Sequence, residues 1–240
     1  MVAEVDAVDA ERVVAFGAVV VTGRAAHLAD LFVRGDLHGR GIGGRLLEAL
    51  LDGTSIRTTF SSDDPRALPL YVRAGMVPRW PLLYLEGPPD AVERLDPGRH
   101  VVRGGGHLEI AALEANWTGA DRPADHAFWT SQPAGDGFVV LDGGGSPVAA
   151  GYGRGRQVSR TSRALDRLVI APGTDPVPPV LAAIRRVMRD GSVVLAMPGP
   201  HPALPLLLQC GFRIVDRDQY MAGPSDPVDP ARLLPNNGML

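Results

Sequence analysis

The residues best suited to chemistry lie in one short run, His38-Gly39-Arg40-Gly41-Ile42-Gly43-Gly44-Arg45-Leu46-Leu47. Glycines let the backbone turn tightly and expose consecutive N–H groups. Unpaired amides at the start of a helix, together with the helix dipole, make an anion site suited to a pyrophosphate. The plainer alternative is a tight loop with no ligand, since any glycine turn can serve as one. Gly39, Gly41 and Gly44 also satisfy the dinucleotide spacing G-x-G-x-x-G, and Asp63 or Asp64 follows at about the distance of that fingerprint's acidic residue. That fingerprint opens its domain directly after the first strand. Here Arg34 to His38 separate Val33 from Gly39, and antiparallel-looking strands come first. The context is wrong for a Rossmann domain.

Absent residue types remove further chemistries. All 24 basic residues are arginine. Without lysine there is neither a Walker P-loop nor a pyridoxal Schiff base. The single cysteine, Cys210, excludes a disulfide framework and a cysteine-rich zinc site. The histidines lack metal-ligand spacing, so no metal is expected, and no Ser–His–Asp arrangement emerges. Residues 34 to 79 hold seven Arg against five Asp plus Glu (7 − 5 = +2), whereas the whole chain carries -3. That local excess favours an anionic ligand weakly.

The elements that must position this turn are legible on either side of it. Val13 to Val21 and His27 to Val33 are β-branched or apolar runs and read as strands, with a shorter one at Val2 to Val8. Strand alternation places His27 on one face with Ala29 and Leu31, and Asp30 on the other. Gly43 to Leu51 carries leucines at 46, 47, 50 and 51, the stripe of a buried helix face. Ile56 to Phe60 reads as a strand, and Asp64-Pro65 as the start of a short helix that stops at Gly75. Pro81 to Leu85 reads as the last strand of this group.

A proline- and glycine-rich stretch, 88–106, reads as a linker, and beyond it the order of elements returns. Helices are expected at 108–117 and 122–130, a hairpin over 137–152, a strand at 168–170, a helix at 180–189 and a strand at 193–195. The letters repeat as well. Arg66 to Met76 matches Pro202 to Phe212 at a shift of 136 (207 − 71), and Leu31-Phe32-Val33 matches Leu168-Val169-Ile170 at 137 (168 − 31). Two near-equal shifts imply duplicated domains. The expected division is 1–87, linker 88–106, second domain 107–222, and a mobile tail 223–240. The second copy has two helices before its hairpin and the first has none, so the first domain is read as shortened at its start.

With 240 residues, 45% hydrophobic and 21% charged, the chain can build a large core. A pI near 6.1 argues against nucleic-acid binding. No run approaches the roughly 18–20 apolar residues of a membrane span, and the first residues carry no signal core. A cytoplasmic protein with no membrane partner is expected.

The strand Leu31 to Val33, the turn His38 to Gly44, the strand Ile56 to Phe60 and Pro65 to Met76 together resemble a GCN5-related N-acetyltransferase (GNAT). That family carries Q/R-x-x-G-x-G/A before a helix; here the run is His38-Gly39-Arg40-Gly41-Ile42-Gly43, with His38 in place of Gln or Arg. The family's alanine-to-tyrosine helix ending in Gly-Phe is matched by Ala67 to Tyr71 and Gly75-Met76. The resemblance covers residues 2 to about 87 and, more faintly, 107 to 222. It implies an α/β (α+β) fold of two GNAT-like domains, each with a mixed, mostly antiparallel sheet flanked by helices.

The resemblance implies acetyl transfer from acetyl-CoA, as co-substrate, to a primary amine on a small molecule or peptide. The pyrophosphate would sit on the amides of Gly39 to Gly44, within a cofactor-binding run of His38, Gly39, Arg40, Gly41, Ile42, Gly43, Gly44 and Arg45. The pantetheine would run along Leu31, Phe32 and Val33. Tyr71 falls where the family often has the acid that protonates the leaving thiolate. His27, or else Asp30, stands near where some members place a general base. In the second copy Asp175-Pro176-Val177-Pro178-Pro179 replaces the glycine turn, and Leu207 the tyrosine. Prolines lack the N–H donors a pyrophosphate needs, so this copy is read as degenerate. The alternative function is an acyl-CoA sensor or structural module without turnover.

Overall fold

The computed structural model describes residues 2–6, 13–22, 24–132, 134–156, 159–188, 191–236 and 238. The chain divides into two compact units, and neither is a single stretch of sequence. The first comprises 1–81, 218–227 and 237–240; the second comprises 82–217 and 228–236.

In the first unit, β1 (Val2–Asp6), β2 (Val13–Thr22) and β3 (Ala25–Val33) form an antiparallel meander. Helix α1 (Ile42–Leu50) then crosses over, so that β4 (Ile56–Ser61) lies parallel to β3. Helix α2 (Ala67–Arg73) follows; Asp64 Oδ1 accepts the Arg66 N–H just before it, at 2.9 Å. The leucine stripe fulfils its reading: Leu46, Leu47, Leu50 and Leu51 bury against Ala15, Val19, Ala26 and Leu28. Tyr71, Met76 and Met221 close the same core.

β5 (Val77–Gly87) begins earlier than the sequence suggests and runs from the first unit into the second. β11 (Arg213–Ala222) does the reverse. Its residues 219–222 pair antiparallel with β4, Tyr220 opposite Phe60. Each unit is therefore completed by the final strand of the other copy. The sequence repeat marks the copies but not this exchange, because a strand has the same composition in either sheet.

The second unit takes in the whole segment read as a linker. A 3-10 turn at Pro89–Arg94 and β6 (Val101–Gly104) lie there, and Ala91 and Leu95 are fully buried in the core. Helices α3 (His107–Thr118) and α4 (Pro123–Ser131) precede an antiparallel run of β7 (Asp136–Leu141), β8 (Pro147–Arg156) and β9 (Ser159–Ile170). Helix α5 (Val177–Met188) crosses to β10 (Ser192–Pro198), parallel to β9; α6 (Leu204–Gln209) follows. The tail expected to be mobile is built in: β12 (Leu233–Leu234) pairs with β9, and Leu234 is buried in the core. Prolines hid it, since two apolar residues leave no period to read.

Under α3 and α4 lies a buried ionic cluster. Arg167 Nη2 donates to Glu114 Oε1 at 2.7 Å, and His126 Nδ1 lies 2.9 Å from the Tyr152 hydroxyl. Burial alone would raise the Glu114 carboxyl, but the charge and hydrogen bonds of Arg167 hold it below its ordinary value. Burial pushes the imidazoles of His126 and His201 down to about 4. The unfolded chain takes up these protons as the pH falls below about 6.5, the folded unit only near 4, so stability is lost through that window. At pH 5 the cost is roughly 2 kcal/mol for each histidine. Thermal melts should give a lower Tm at pH 5 than at pH 7, and His126→Gln should shrink that difference. A Tm flat from pH 7 to 5 would count against it.

Candidate active site

The glycine run forms the turn its composition suggests. Gly39 and Gly41 adopt φ of 77° and 75°, a region that other residues enter only with strain. Gly41 is the N-cap of α1 and supplies no side-chain cap. The amides of Gly39 to Gly44 therefore have no protein partner among the described residues. Ile42 is buried and pins the helix start to the core. Gly43 lies against Val33: a Cβ there would stand 3.4 Å from Val33 Cγ2.

The charges around the turn sort themselves. Arg34 is paired with Asp36 and Arg66 with Asp64, both at 2.6 Å. The hydrogen bonds from Arg66 lower the Asp64 carboxyl to about 2. Arg40 and Arg45 are exposed and make no ion pair among the described residues. Two exposed cations outside any ion pair among the described residues thus flank a nest of free amides.

His38, the departure from the family pattern, is a strut. Arg66 Nη1 donates to its Nδ1, which fixes the Nε2–H tautomer. Nε2–H then donates to the Val33 carbonyl at 2.8 Å. The side chain ties β3, the turn and the approach to α2 together. Sequence reasoning missed Arg66 and Asp64 here, since a contact spanning 28 residues leaves no local trace.

Beside the turn, β3 parts from β4. Their pairing runs from Ala25↔Ile56 to Leu28↔Thr59 and stops, while β3 stays paired with β2 out to Val33. Leu31, Phe32 and Val33 therefore present one backbone edge without a strand partner among the described residues, on which the Val33 carbonyl is held by His38. A bulge lies where the strands part: Ala18 faces Asp30 and Val19 faces Leu28, leaving Ala29 as the extra residue.

That bulge corrects the facing expected from strict alternation. Ala26 and Leu28 point into the helix-covered core, and so, past the bulge, do Leu31 and Val33. His27, Asp30 and Phe32 share the opposite face. His27 is buried, with Nδ1 3.0 Å from the Thr58 hydroxyl and its ring edge-on to Phe60. Asp30 is exposed. Phe32 stacks on Phe16 at 4.9 Å, and both rings are largely exposed. Tyr71 lies in the core on α2, and its hydroxyl has no hydrogen-bond partner among the described residues. Burial first, then the charge of Asp64, raises its phenol, so the proton is retained at neutral pH.

A turn of free amides opening a helix, next to a parallel pair that splays, matches a known domain. Residues 1–77 fit the family profile described as an acetyltransferase (GNAT) domain. That stretch, about a third of the chain, is similar to a GNAT domain. Solved structures agree at the level of fold. An assigned acetyltransferase from Pyrococcus horikoshii is 14% identical with a TM-score of 0.66, covering 93% of this chain and 74% of its own. A GCN5-related N-acetyltransferase from Anabaena variabilis is 16% identical with a TM-score of 0.59, covering 88% of this chain and 60% of its own. A tandem GNAT protein from the clavulanic acid biosynthesis pathway is 15% identical with a TM-score of 0.51, covering 90% and 81%. Among curated proteins none matches the sequence. Among the described residues no helix is long and apolar enough to cross a membrane.

Proposed function

We propose that this protein transfers an acetyl group from acetyl-CoA to a primary amine, and that the first unit does the chemistry. The observation that carries this is the nest of free amides at Gly39 to Gly44, flanked by Arg40 and Arg45, beside the unpaired edge of β3. The pyrophosphate is held by amides and helix dipole. The pantetheine amides hydrogen-bond along Leu31 to Val33 as an added strand would.

The acceptor approaches from the face bearing Asp30, Phe32 and Phe16. Asp30, exposed at the parting of the strands, is better placed than buried His27 to take the ammonium proton, directly or through water. The free amine attacks the thioester carbonyl, and its nitrogen sheds its surplus proton to solvent. The tetrahedral intermediate collapses to the amide and expels the CoA sulfur, and the Tyr71 hydroxyl supplies the proton that makes it a thiol. The phenolate is reprotonated from solvent. The second unit is a degenerate copy without this chemistry.

One observation favours a second reading. In the second unit α3 and α4 cover the sheet before its hairpin, whereas in the first unit Phe16 and Phe32 stand exposed. An acceptor site so open would suit a sensor that binds acyl-CoA without turnover. Mass spectrometry of the intact protein for bound CoA, followed by thiol release from acetyl-CoA over a panel of primary amines, separates the two. Binding with turnover is expected; binding without turnover on any amine supports the sensor, and no binding removes both.

A further inference from the structure

The two units repeat one detail closely enough to be superposed by arithmetic. In the first, β3 and β4 pair in parallel over four positions, Ala25↔Ile56 to Leu28↔Thr59. In the second, β9 and β10 pair over Ser162↔Ser192 to Leu165↔Leu195. The shifts are 137 (162 − 25) and 136 (192 − 56), those of the letter repeat. The bulge is repeated too: Tyr152 faces Arg167 and Gly153 faces Leu165, leaving Asp166 as the extra residue, 137 beyond Ala29 (166 − 29). Beyond it β9 leaves β10 as β3 leaves β4.

The second cleft is not open. Leu233 and Leu234 pair antiparallel with Val169 and Leu168, on the edge of β9 that β8 does not use. The Ile170 N–H donates to the Arg232 carbonyl at 2.9 Å. The Arg232 guanidinium donates to the Ala171 carbonyl, and Asn236 Nδ2 to Asp166 Oδ1 at 3.4 Å. Leu234 buries its side chain in the core. In the next position of both units the N–H turns the other way: Ala171 donates to Val148 and Arg34 to Val14. Successive strand amides face opposite edges, so the Val33 N–H points into the first cleft as the Ile170 N–H points at the tail.

We propose that residues 229–236 are a built-in occupant of the second unit's cleft, pairing with the strand edge that the first unit leaves open for the pantetheine arm. The comparison with pantetheine rests on the acetyl-CoA reading of the first unit; the occupancy does not. Arg232 N–H donates to the Asp229 carbonyl at 3.0 Å, which folds the segment before it enters. At the other end of the cleft the anion site is removed as well. Pro178 and Pro179 bring no N–H to the first turn of α5, and Val177 N–H is taken by Asp175 Oδ1 at 3.1 Å. The second unit thus binds part of its own chain where a cofactor would lie.

Amide hydrogen exchange on the full chain tests this. Without ligand, Ile170 and Leu234 should exchange on the order of 100-fold or more slower than an exposed loop amide, as core strands do. Leu234→Asp should speed Ile170 by roughly 10-fold or more and leave residues 31–33 as they were. Should that variant not fold, Arg232→Ala loosens the same edge without burying a charge. Added CoA should slow residues 31–44 and change neither 168–170 nor 229–236. Loop-like exchange at Ile170 in the unaltered chain would overturn the proposal, and so would CoA that releases 229–236 or further slows 168–170. If CoA leaves 31–44 unchanged, the acetyl-CoA reading fails, and the ligand-free measurements still decide whether the tail fills the cleft.

Discussion

Tyr71→Phe should lower kcat by about 10²–10⁴-fold and leave CoA affinity unchanged. The substitution leaves the packing around the ring in place. The ring lies in the core between α1 and the sheet, and the hydroxyl has no hydrogen-bond partner among the described residues, so its removal strands no buried group. Tm should move little. What is lost is a proton held in place by burial and by the nearby Asp64 charge, both of which keep the phenol neutral. A phenol with a raised pKa is a weak acid against a thiolate in water. In the same low-dielectric surroundings, however, the departing sulfur is desolvated too, and its affinity for a proton rises with it. On the proposed mechanism the hydroxyl would act late, as the C–S bond breaks, which puts the expected loss in kcat rather than in binding. The measurement is steady-state acetyl transfer with calorimetric CoA binding alongside. An unchanged kcat would make Tyr71 a packing residue and leave the thiolate to be protonated by water.

How much of this could be read from the sequence follows from how local each feature is. The turn was legible because glycines at positive φ and a leucine stripe leave their mark within a dozen residues. The duplication was legible for the same reason: Leu31-Phe32-Val33 and Leu168-Val169-Ile170 occupy equivalent strands and kept their apolar character. The bulge at Ala29 was not. Ala26, His27 and Leu28 are all buried, so a one-residue insertion hides in a run with no alternation to break. The facing of His27 and Asp30 went wrong at that residue. The strand exchange and the tail were hidden for a different reason. Which sheet β5 or β11 completes is decided by partners more than 100 residues away in sequence. Leu233-Leu234 among prolines reads as a loop until β9 is seen beside it.

Replacing Gly41 with aspartate should abolish CoA binding while sparing the fold, which makes it the sharpest test of the anion site. A Cβ at Gly41 meets nothing within 4 Å, so the change brings no clash. The φ of 75° imposes strain of about 1–2 kcal/mol on any side chain. Aspartate recovers part of that cost, since a carboxylate at an N-cap accepts from the free amides of the first turn. Those are the amides the pyrophosphate needs. The variant thus fills the site with its own anion and places a like charge beside the ligand. The dissociation constant should rise on the order of 100-fold or more, with partial recovery at high salt. Gly41→Ala carries the strain without the charge and separates the two effects; its loss should be much smaller. Gly43→Asp is a poorer probe, because its Cβ would stand in contact with Val33 and Leu70, at 3.4 and 3.7 Å, and set the carboxylate beside apolar side chains. Val177→Asp, at the matching turn of the second unit, should leave binding as it was. Calorimetry on the unaltered chain should give one CoA per chain. Two equivalent sites, or full affinity in Gly41→Asp, would move the cofactor away from this turn. A single site lost in Gly41→Asp and kept in Val177→Asp would place it at the amides of Gly39 to Gly44, where the open edge of β3 begins.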